Sequence, residues 1–289
     1  MDFLTIIIGA TAERCLQVFA VTVALLALEL AIPAQPVPIV SRLRGAVFWL
    51  ITIPATAFCL TTFHYFVWRS GLTPLVRLSI GEWFHAHSRP VALVGLVAAP
   101  VLSGAISDFF GYWYHRAQHA IPLLWRIHCV HHSIQHLSAV NSNHHWTEEV
   151  FRVPLMSFPA ALLIGPDPGV VLPIVAGLLV AQGAFIHAST RFHLGPLRWV
   201  FVDNRFHRIH HSLEERHFGK NYAAFTPLWD RIFGTVYHPA PEEWPDTGLA
   251  ELAEPDDFTE WFGLPWRYNR LTASRRAGLV RVRDVEIPS

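Results

Sequence analysis

Three long runs of apolar residues, separated by polar or proline-rich segments, dominate the first part of this chain. Residues 15–32 are apolar apart from Gln17 and Glu29, and residues 45–63 and 90–107 carry no charge. Because a helix rises about 1.5 Å per residue, runs of roughly 18 residues approach the thickness of the hydrocarbon core of a bilayer. The pattern therefore predicts three membrane helices.

A fourth apolar region, residues 153–187, contains a turn signal near its centre. Its one charged residue, Asp167, lies in the sequence Gly-Pro-Asp-Pro-Gly at residues 165–169, which favours a tight turn. Two helices joined by this turn are predicted. We therefore expect an all-α membrane bundle of four to five helices including a hairpin, and the hairpin returns the chain to the side of the membrane that it left.

Basic residues predict on which side of the membrane the hairpin begins and ends. The segment after the predicted hairpin is rich in arginine, with Arg191, Arg198, Arg205, Arg208 and Arg216. Cytoplasmic segments of membrane proteins carry an excess of Lys and Arg, so a helical cap formed here is expected to face the cytoplasm. Lys220 is the only lysine, and this bias towards arginine favours a bacterial inner membrane protein.

The composition agrees with a membrane protein and excludes other classes. Hydrophobic residues make up 52% of the chain and charged residues 15%, well below the quarter or so that is usual in soluble domains. The formal net charge of zero gives no positive field for nucleic acid. Cys15, Cys59 and Cys129 are far apart, form no CxxC pair and lie in or beside apolar segments, so neither a disulfide framework nor a thiolate metal site is indicated.

Histidine is strongly clustered. Of the 18 histidines, 14 lie in two windows, residues 115–145 and 187–217. Three sets have spacings of three or four residues, which place their imidazoles on one face of a helix where they can bind metal: His115 with His119, His128 with His131 and His132, and His207 with His210 and His211. Interfacial histidines that pack against lipid headgroups are a less satisfactory explanation, because the same spacing recurs.

The number of imidazoles indicates two metal ions. Eight or more histidines without a cysteine exceed what one tetrahedral zinc ion needs. Imidazole suits iron, zinc, copper and nickel alike, and an oxidative reaction on an apolar substrate would favour iron. Pattern alone leaves di-iron and di-zinc open. Asp108 and Asp203 precede His115 and His207 on the same predicted helical faces, and we expect their carboxylates to orient ligand imidazoles.

The order of these motifs resembles one family. Asp108-x-x-x-Tyr112-Trp113-x-His115-Arg116-x-x-His119 and the second histidine set are followed by the segments 204–212, 221–222 and 228–235. Together, over roughly residues 102–237, they resemble the fatty acid hydroxylase/sterol desaturase superfamily of membrane di-iron oxygenases. The sequence His145-x-x-Glu148 resembles a further family segment, but Trp146 replaces its proline, so His145 is left out of the ligand set.

The resemblance implies a site and a reaction. His187 occupies the position of a further family ligand, so the implied metal ligands are His115, His119, His128, His131, His132, His187, His207, His210 and His211. Two iron ions and O2 would hydroxylate an unactivated C–H bond of a lipid-like substrate from the bilayer, such as a sterol, fatty acyl chain or carotenoid. Desaturation by the same site is the alternative.

Domain organisation and partners follow from the same pattern. We expect membrane helices in residues 1–111, a histidine-box core in 112–238 that includes the hairpin 153–187, and a polar appendage in 239–289. No Rossmann or haem-binding segment is found, so electrons are expected from an external ferredoxin, or from a cytochrome with its reductase. A metal transporter or sensor is a remote alternative, and it would need ionisable residues across the spans.

Overall fold

A computed structural model describes residues 3–78, 88–166 and 171–276. Residues 167–169 of the predicted tight turn and residues 277–289 of the predicted appendage lie outside the described residues. Within the described ranges the chain is helical apart from two strands of three residues each, Val76–Leu78 and Ile164–Pro166. The all-α prediction is therefore confirmed.

Three helices are long and apolar enough to cross a membrane: α1 (Phe3–Ala31), α2 (Ile39–Arg69) and α3 (Arg89–Ala120). Many of their large apolar side chains are exposed, for example Leu16, Leu50 and Val94. In water such exposure would be unfavourable, so lipid is the solvent that these faces require. Each helix extends beyond the uncharged run that predicted it.

The third helix is also the carrier of the first histidine set. It continues from the predicted span through Asp108 to His119 without a break. The expected division between residues 111 and 112 therefore falls inside one continuous helix. The predicted membrane segment and the segment that carries the first histidine set are thus parts of one helix.

The predicted hairpin is built from shorter pieces. Its first arm consists of α5 (Glu148–Arg152), a π-helical turn (Val153–Ser157) and α6 (Phe158–Leu163), and its second arm is α7 (Val171–Phe185). Proline has no amide hydrogen, so Pro154 interrupts the regular hydrogen-bond ladder at the π turn. The strands β1 (Val76–Leu78) and β2 (Ile164–Pro166) pair in parallel, which joins the loop after α2 to the hairpin.

The cap covers one end of this bundle. It contains α4 (Pro122–His132), α8 (Asn204–His210), α9 (Leu228–Ile232) and α10 (Phe258–Arg276), with single 3-10 turns at Gly195–Trp199 and Glu215–His217. The predicted polar appendage supplies α10, whose Trp261 is buried against Phe48 and Cys129. This segment is thus part of the core.

Buried Glu29 fastens α1 to the cap. Its carboxylate accepts hydrogen bonds from the backbone N–H of Ala139 at 2.9 Å and of Ser189 at 2.7 Å. It also forms an ion pair with Arg42 of α2 at 2.5 Å. These contacts fix the cap ends of the first two helices against the loops that flank the histidines.

Candidate metal centre

Four segments bring all nine predicted histidines together. Helices α3, α4 and α8 supply the three sets, and His187 follows the end of α7. Their potential ligand nitrogens form two groups, each with all atoms within 4.8 Å of one another. The first group is His115, His119, His128, His132 and His210, and the second is His131, His187, His207 and His211.

Within each group the Nε2 atoms face one another. In the first group the Nε2 atoms of His115 and His128 lie 3.0 Å apart, and those of His132 and His210 lie 3.1 Å apart. In the second group the Nε2 atom of His187 lies 3.2 Å from that of His131 and 3.1 Å from that of His207. The rings therefore converge on two centres through the same ring atom.

Backbone carbonyls fix the tautomer of four of these rings. The Nδ1 atoms of His115 and His187 lie 2.6 Å from the carbonyl oxygens of Tyr222 and Gly183. Because a carbonyl can only accept, each of these Nδ1 atoms must carry the proton, and the Nε2 atom is left with a bare lone pair. His210 and His131 have the same arrangement, with the carbonyls of Lys220 at 2.9 Å and Asn143 at 3.3 Å.

These tautomers make the cluster a good fit for cations. The Nε2 atoms of His131 and His187 are 3.2 Å apart, and two lone pairs at that distance repel each other. Two nitrogens that bind one metal at about 2.1 Å would lie about 3.0–3.4 Å apart for angles between right and tetrahedral. The observed spacing is in this range, and the buried Nε2 of His119 has no hydrogen-bond partner among the described residues.

Burial keeps the cap histidines neutral. The pKa values of His131, His132, His207, His210 and His211 are all held well below the usual value, first by burial and then by the neighbouring histidines. A cationic imidazole cannot bind a metal, so a low pKa keeps the ligand form populated at neutral pH.

Glu148 is the carboxylate that orients a histidine of the cluster. It accepts hydrogen bonds from His128 Nδ1 at 3.2 Å, His144 Nδ1 at 3.1 Å and Gln118 Nε2 at 2.9 Å. Burial raises its pKa, but His144 and His128 outweigh that effect and hold the pKa well below its usual value. In the sequence, Glu148 stands out only as part of the His145-x-x-Glu148 segment, which predicts no role for its carboxylate.

Asp108 and Asp203 both bind backbone N–H groups, and within the described ranges no hydrogen bond joins either carboxylate to an imidazole, so their role in orienting ligand imidazoles stays a prediction. Asp108 accepts the backbone N–H groups of residues 224, 225 and 226 at 2.9–3.0 Å. Asp203 caps helix α8 by accepting the N–H of Phe206 at 2.9 Å. A carboxylate just before a helix satisfies the free N–H groups there, and Asp108 does the same for a loop.

Histidines outside the predicted set have other partners. His145 is buried, contacts Thr147 Oγ1 at 2.7 Å and packs against Trp261. His217 contacts Ser212 and Glu243. His144 is half-exposed and stacks on His131 with ring centroids 3.8 Å apart. With Glu148 and His128 it forms a further possible metal-binding group, which the spacing rule did not predict.

A cavity of about 380 Å³ adjoins the histidines, a size within the range of ligand pockets. Its walls come from α1, α2, α3 and both arms of the hairpin. They include apolar side chains such as Val18, Ile53, Met156 and Leu179, and the metal-site candidates His115, His131 and His207. A ligand in this cavity would thus contact both membrane helices and the cluster.

Comparison with known proteins agrees with this geometry. Residues 100–235 match the fatty acid hydroxylase family. An ornithine lipid hydroxylase of Rhizobium tropici is 32% identical over 165 residues, which is 54% of this chain and 49% of that protein. An alkylglycerol monooxygenase of Danio rerio is 33% identical over 161 residues, or 56% of this chain and 34% of the relative.

A more distant relative is a very-long-chain aldehyde decarbonylase of Oryza sativa subsp. indica, 27% identical over 159 residues, 49% of this chain and 23% of that protein. The chain thus spans half or less of the length of these relatives. No solved structure matches it. The matched region holds α3, α4 and α8 with their histidines, and these matches support the resemblance of this chain to the fatty acid hydroxylase/sterol desaturase superfamily.

Proposed function

We propose that this chain is an O2-dependent membrane monooxygenase that hydroxylates an unactivated C–H bond of a lipid-like substrate at a pair of iron ions. One observation carries the proposal: nine clustered histidines converge on two centres beside a cavity between membrane helices. Two relatives, an ornithine lipid hydroxylase and an alkylglycerol monooxygenase, support this reaction class.

Each group of histidines would hold one ion. The first group would bind through five imidazoles and the second through four. When bound, an iron pair supplies the reductive activation of O2 that attack on an unactivated C–H bond requires. Imidazole also suits zinc, so the choice of iron rests on the redox chemistry and on the family.

The protein's own groups prepare the site for this chemistry. Carbonyls of Tyr222 and Gly183 hold the rings of His115 and His187 with Nε2 directed inward. Glu148 accepts from His128, which orients that ring and makes its ligand nitrogen more basic. Preorganised rings of this kind need no rearrangement when metal binds.

The cavity positions the substrate. Apolar side chains of the hairpin and of α1 and α2 exclude water and would hold an alkyl chain against the histidines. Hydroxylation needs one C–H bond at the site, whereas desaturation needs a second, neighbouring C–H bond in reach. A shift of about an ångström in the bound chain separates these outcomes, and desaturation remains the second candidate.

Electrons would come from an external ferredoxin, or from a cytochrome with its reductase, that docks on the cap. We place the cap in the cytoplasm of a bacterial cell, with α1 to α3 in the inner membrane. The arginine-rich segment that follows the hairpin supports this orientation.

Metal transport is disfavoured by the contacts of the two acidic residues that such a path would need. Glu29 is neutralised by Arg42 and two backbone N–H groups. The carboxylate of Asp108 accepts three backbone N–H groups. Neither carboxylate is therefore free to pass an ion along the spans.

Elemental analysis and lipid profiles test the proposal together. Purified wild-type protein should contain two iron ions per chain, and cells that express it should accumulate an oxygenated lipid that is absent without O2. His119→Ala, His131→Ala and His210→Ala should each lower bound iron and abolish that product, because each removes a ligand from a centre.

His193→Ala is the matched control, because His193 is an exposed histidine outside both groups. It should keep wild-type iron content and product. An active preparation with one metal ion or none per chain would refute the dimetal site, and zinc in active protein would refute the assignment of iron.

A further inference from the structure

Arg14 is a cationic side chain in the wall of the cavity that also contacts the histidines. It lies within α1, one of the three helices apolar enough to cross a membrane, and it lines the same cavity as His115 and His131. A charged side chain in a membrane segment is costly unless it has a partner or serves a function. The charged groups around Arg14 therefore indicate whether it has a partner within the protein or binds a ligand.

The carboxylate near Arg14 is already neutralised. Glu149 interacts electrostatically with Arg14, but both of its oxygens accept hydrogen bonds from Arg152 at 2.5–3.1 Å. Thr56 donates a further hydrogen bond to Glu149 at 3.0 Å. Two guanidinium groups thus face one carboxylate, so the part of the wall around Arg14 and Glu149 has an excess positive charge. The other two carboxylates that line the cavity, Asp108 and Glu148, already accept hydrogen bonds from backbone N–H groups and from two histidines and a glutamine.

Other neighbours do not remove that excess. Glu13 is exposed and accepts from Gln17 along the outer surface of α1. His64 of α2 and Arg152 also interact electrostatically with Arg14, and neither side chain can supply negative charge. Among the described residues no hydrogen bond to the Arg14 guanidinium is found. The Arg14 guanidinium therefore lacks an anionic partner of its own.

We propose that Arg14 binds the anionic group, a carboxylate or a phosphate ester, of an amphiphilic substrate whose alkyl chain fills the cavity. Val18 lies one helical turn from Arg14 towards the cap and lines the same cavity, as do Ile53 and Met156. A charge fixed at Arg14 would set which carbon of the chain reaches the histidines. This assignment rests on the proposed function, because it identifies the cavity with the substrate site.

Equilibrium binding of three radiolabelled probes of equal chain length tests the proposal. Full-length protein in phosphatidylcholine nanodiscs is titrated with hexadecanoate, hexadecyl phosphate and hexadecan-1-ol. Wild-type protein should bind at least one anionic probe about tenfold or more tighter than the alcohol. Whichever anion binds tighter identifies the head group.

Variants assign the preference to Arg14. Arg14→Gln should bind acid and alcohol alike, while Arg14→Lys should keep most of the preference because it keeps the charge. The matched control is Arg69→Gln, at the exposed end of α2, which should behave as wild type. Equal affinity of wild-type protein for all three probes would overturn the proposal, as would an undiminished preference in Arg14→Gln.

Iron content, measured on the same preparations, separates this proposal from the proposed function. A wild-type protein without iron that still prefers the anionic probes would refute the oxygenase and leave the binding site standing. Iron-loaded, active protein without the preference would refute the role of Arg14 alone. If Arg14→Gln does not fold, Arg14→Ala replaces it in the comparison, and equal affinity of the wild-type protein for acid and alcohol still overturns the proposal.

Discussion

Two buried carboxylates, Asp108 and Glu148, have roles that only their spatial neighbours explain. Asp108 lies on the helical face of His115 and His119, yet it binds the backbone of residues 224–226. Glu148 belongs to a different segment and contacts His128. Helical spacing identifies which residues share a face, but it does not identify which distant segment packs against that face.

Asp108→Asn should lower stability without removing metal. An amide oxygen accepts fewer hydrogen bonds than a carboxylate, and its NH2 group would face the N–H groups of the loop, so we expect a loss of about 2–4 kcal/mol. Thermal unfolding followed by size-exclusion chromatography measures the loss, with exposed Glu242→Gln as control. Normal stability together with lost iron would instead return Asp108 to the role first predicted.

Glu148→Gln should weaken metal binding directly. Loss of a carboxylate that orients a ligand histidine typically lowers metal affinity by about 10–100-fold. Competition with a chelator on purified protein measures iron affinity, and the Glu242→Gln protein again provides the reference. Unchanged affinity would show that the contact between Glu148 and His128 does not support the metal centre.

At the scale of elements, the close approach of α2 to the cap is a feature that apolar patterning did not predict. A Cβ atom on Gly45 would lie 2.5 Å from the carbonyl oxygen of Val140 and 2.7 Å from the Cα of Asn141. These are backbone atoms, so they cannot move aside as the end of a flexible side chain can. Glycine is therefore required at this crossing.

Gly45→Ala should destabilise the protein by about 1–3 kcal/mol, because overpacking forces the helix and the loop apart. Gly9→Ala on α1 is the matched control, since a Cβ there meets no atom within 4 Å, and alanine should stabilise that helix slightly. Comparison of the two unfolding temperatures measures the difference. Equal temperatures would mean that the loop at residues 140–141 moves freely.

At the scale of the whole molecule, the contacts define the order of crossings. Glu29 fixes the end of α1 to the cap, and the pairing of β1 with β2 joins the loop after α2 to the hairpin. The loop at residues 70–75 therefore lies at the end of the bundle opposite the cap. By the orientation proposed above, this loop faces away from the cytoplasm.

Cysteine labelling in intact cells measures that orientation. In a variant without native cysteines, Ser70→Cys should react with an impermeant maleimide from the outside, because this exposed position lies on the far side. Glu242→Cys on the cap should react only after the inner membrane is permeabilised. The reverse pattern would place the metal centre outside the cytoplasm.

The sequence by itself determined that the long helices need a lipid environment, that the fold is helical, and which residues are the metal-site candidates. Long uncharged helices are stable in lipid, and imidazoles three or four residues apart share one face of a helix. Both properties depend only on residues that are close together along the chain. The eight histidines that this spacing singled out, and His187, which the family resemblance added, all lie in the two groups. The extra length of α3 and the π turn at residues 153–157 were missed, because packing extends or distorts helices beyond their apolar runs.

Only the tertiary structure decided what these residues contact. It showed that carbonyls of Tyr222 and Lys220, far along the chain, fix the rings of His115 and His210. It also showed that Asp108 binds the backbone of a loop, that Glu148 contacts His128, and that Arg14 lines the cavity beside the histidines. The physical reason is that hydrogen bonds and ion pairs depend on ångström-scale distances between segments, which periodicity along one segment does not encode.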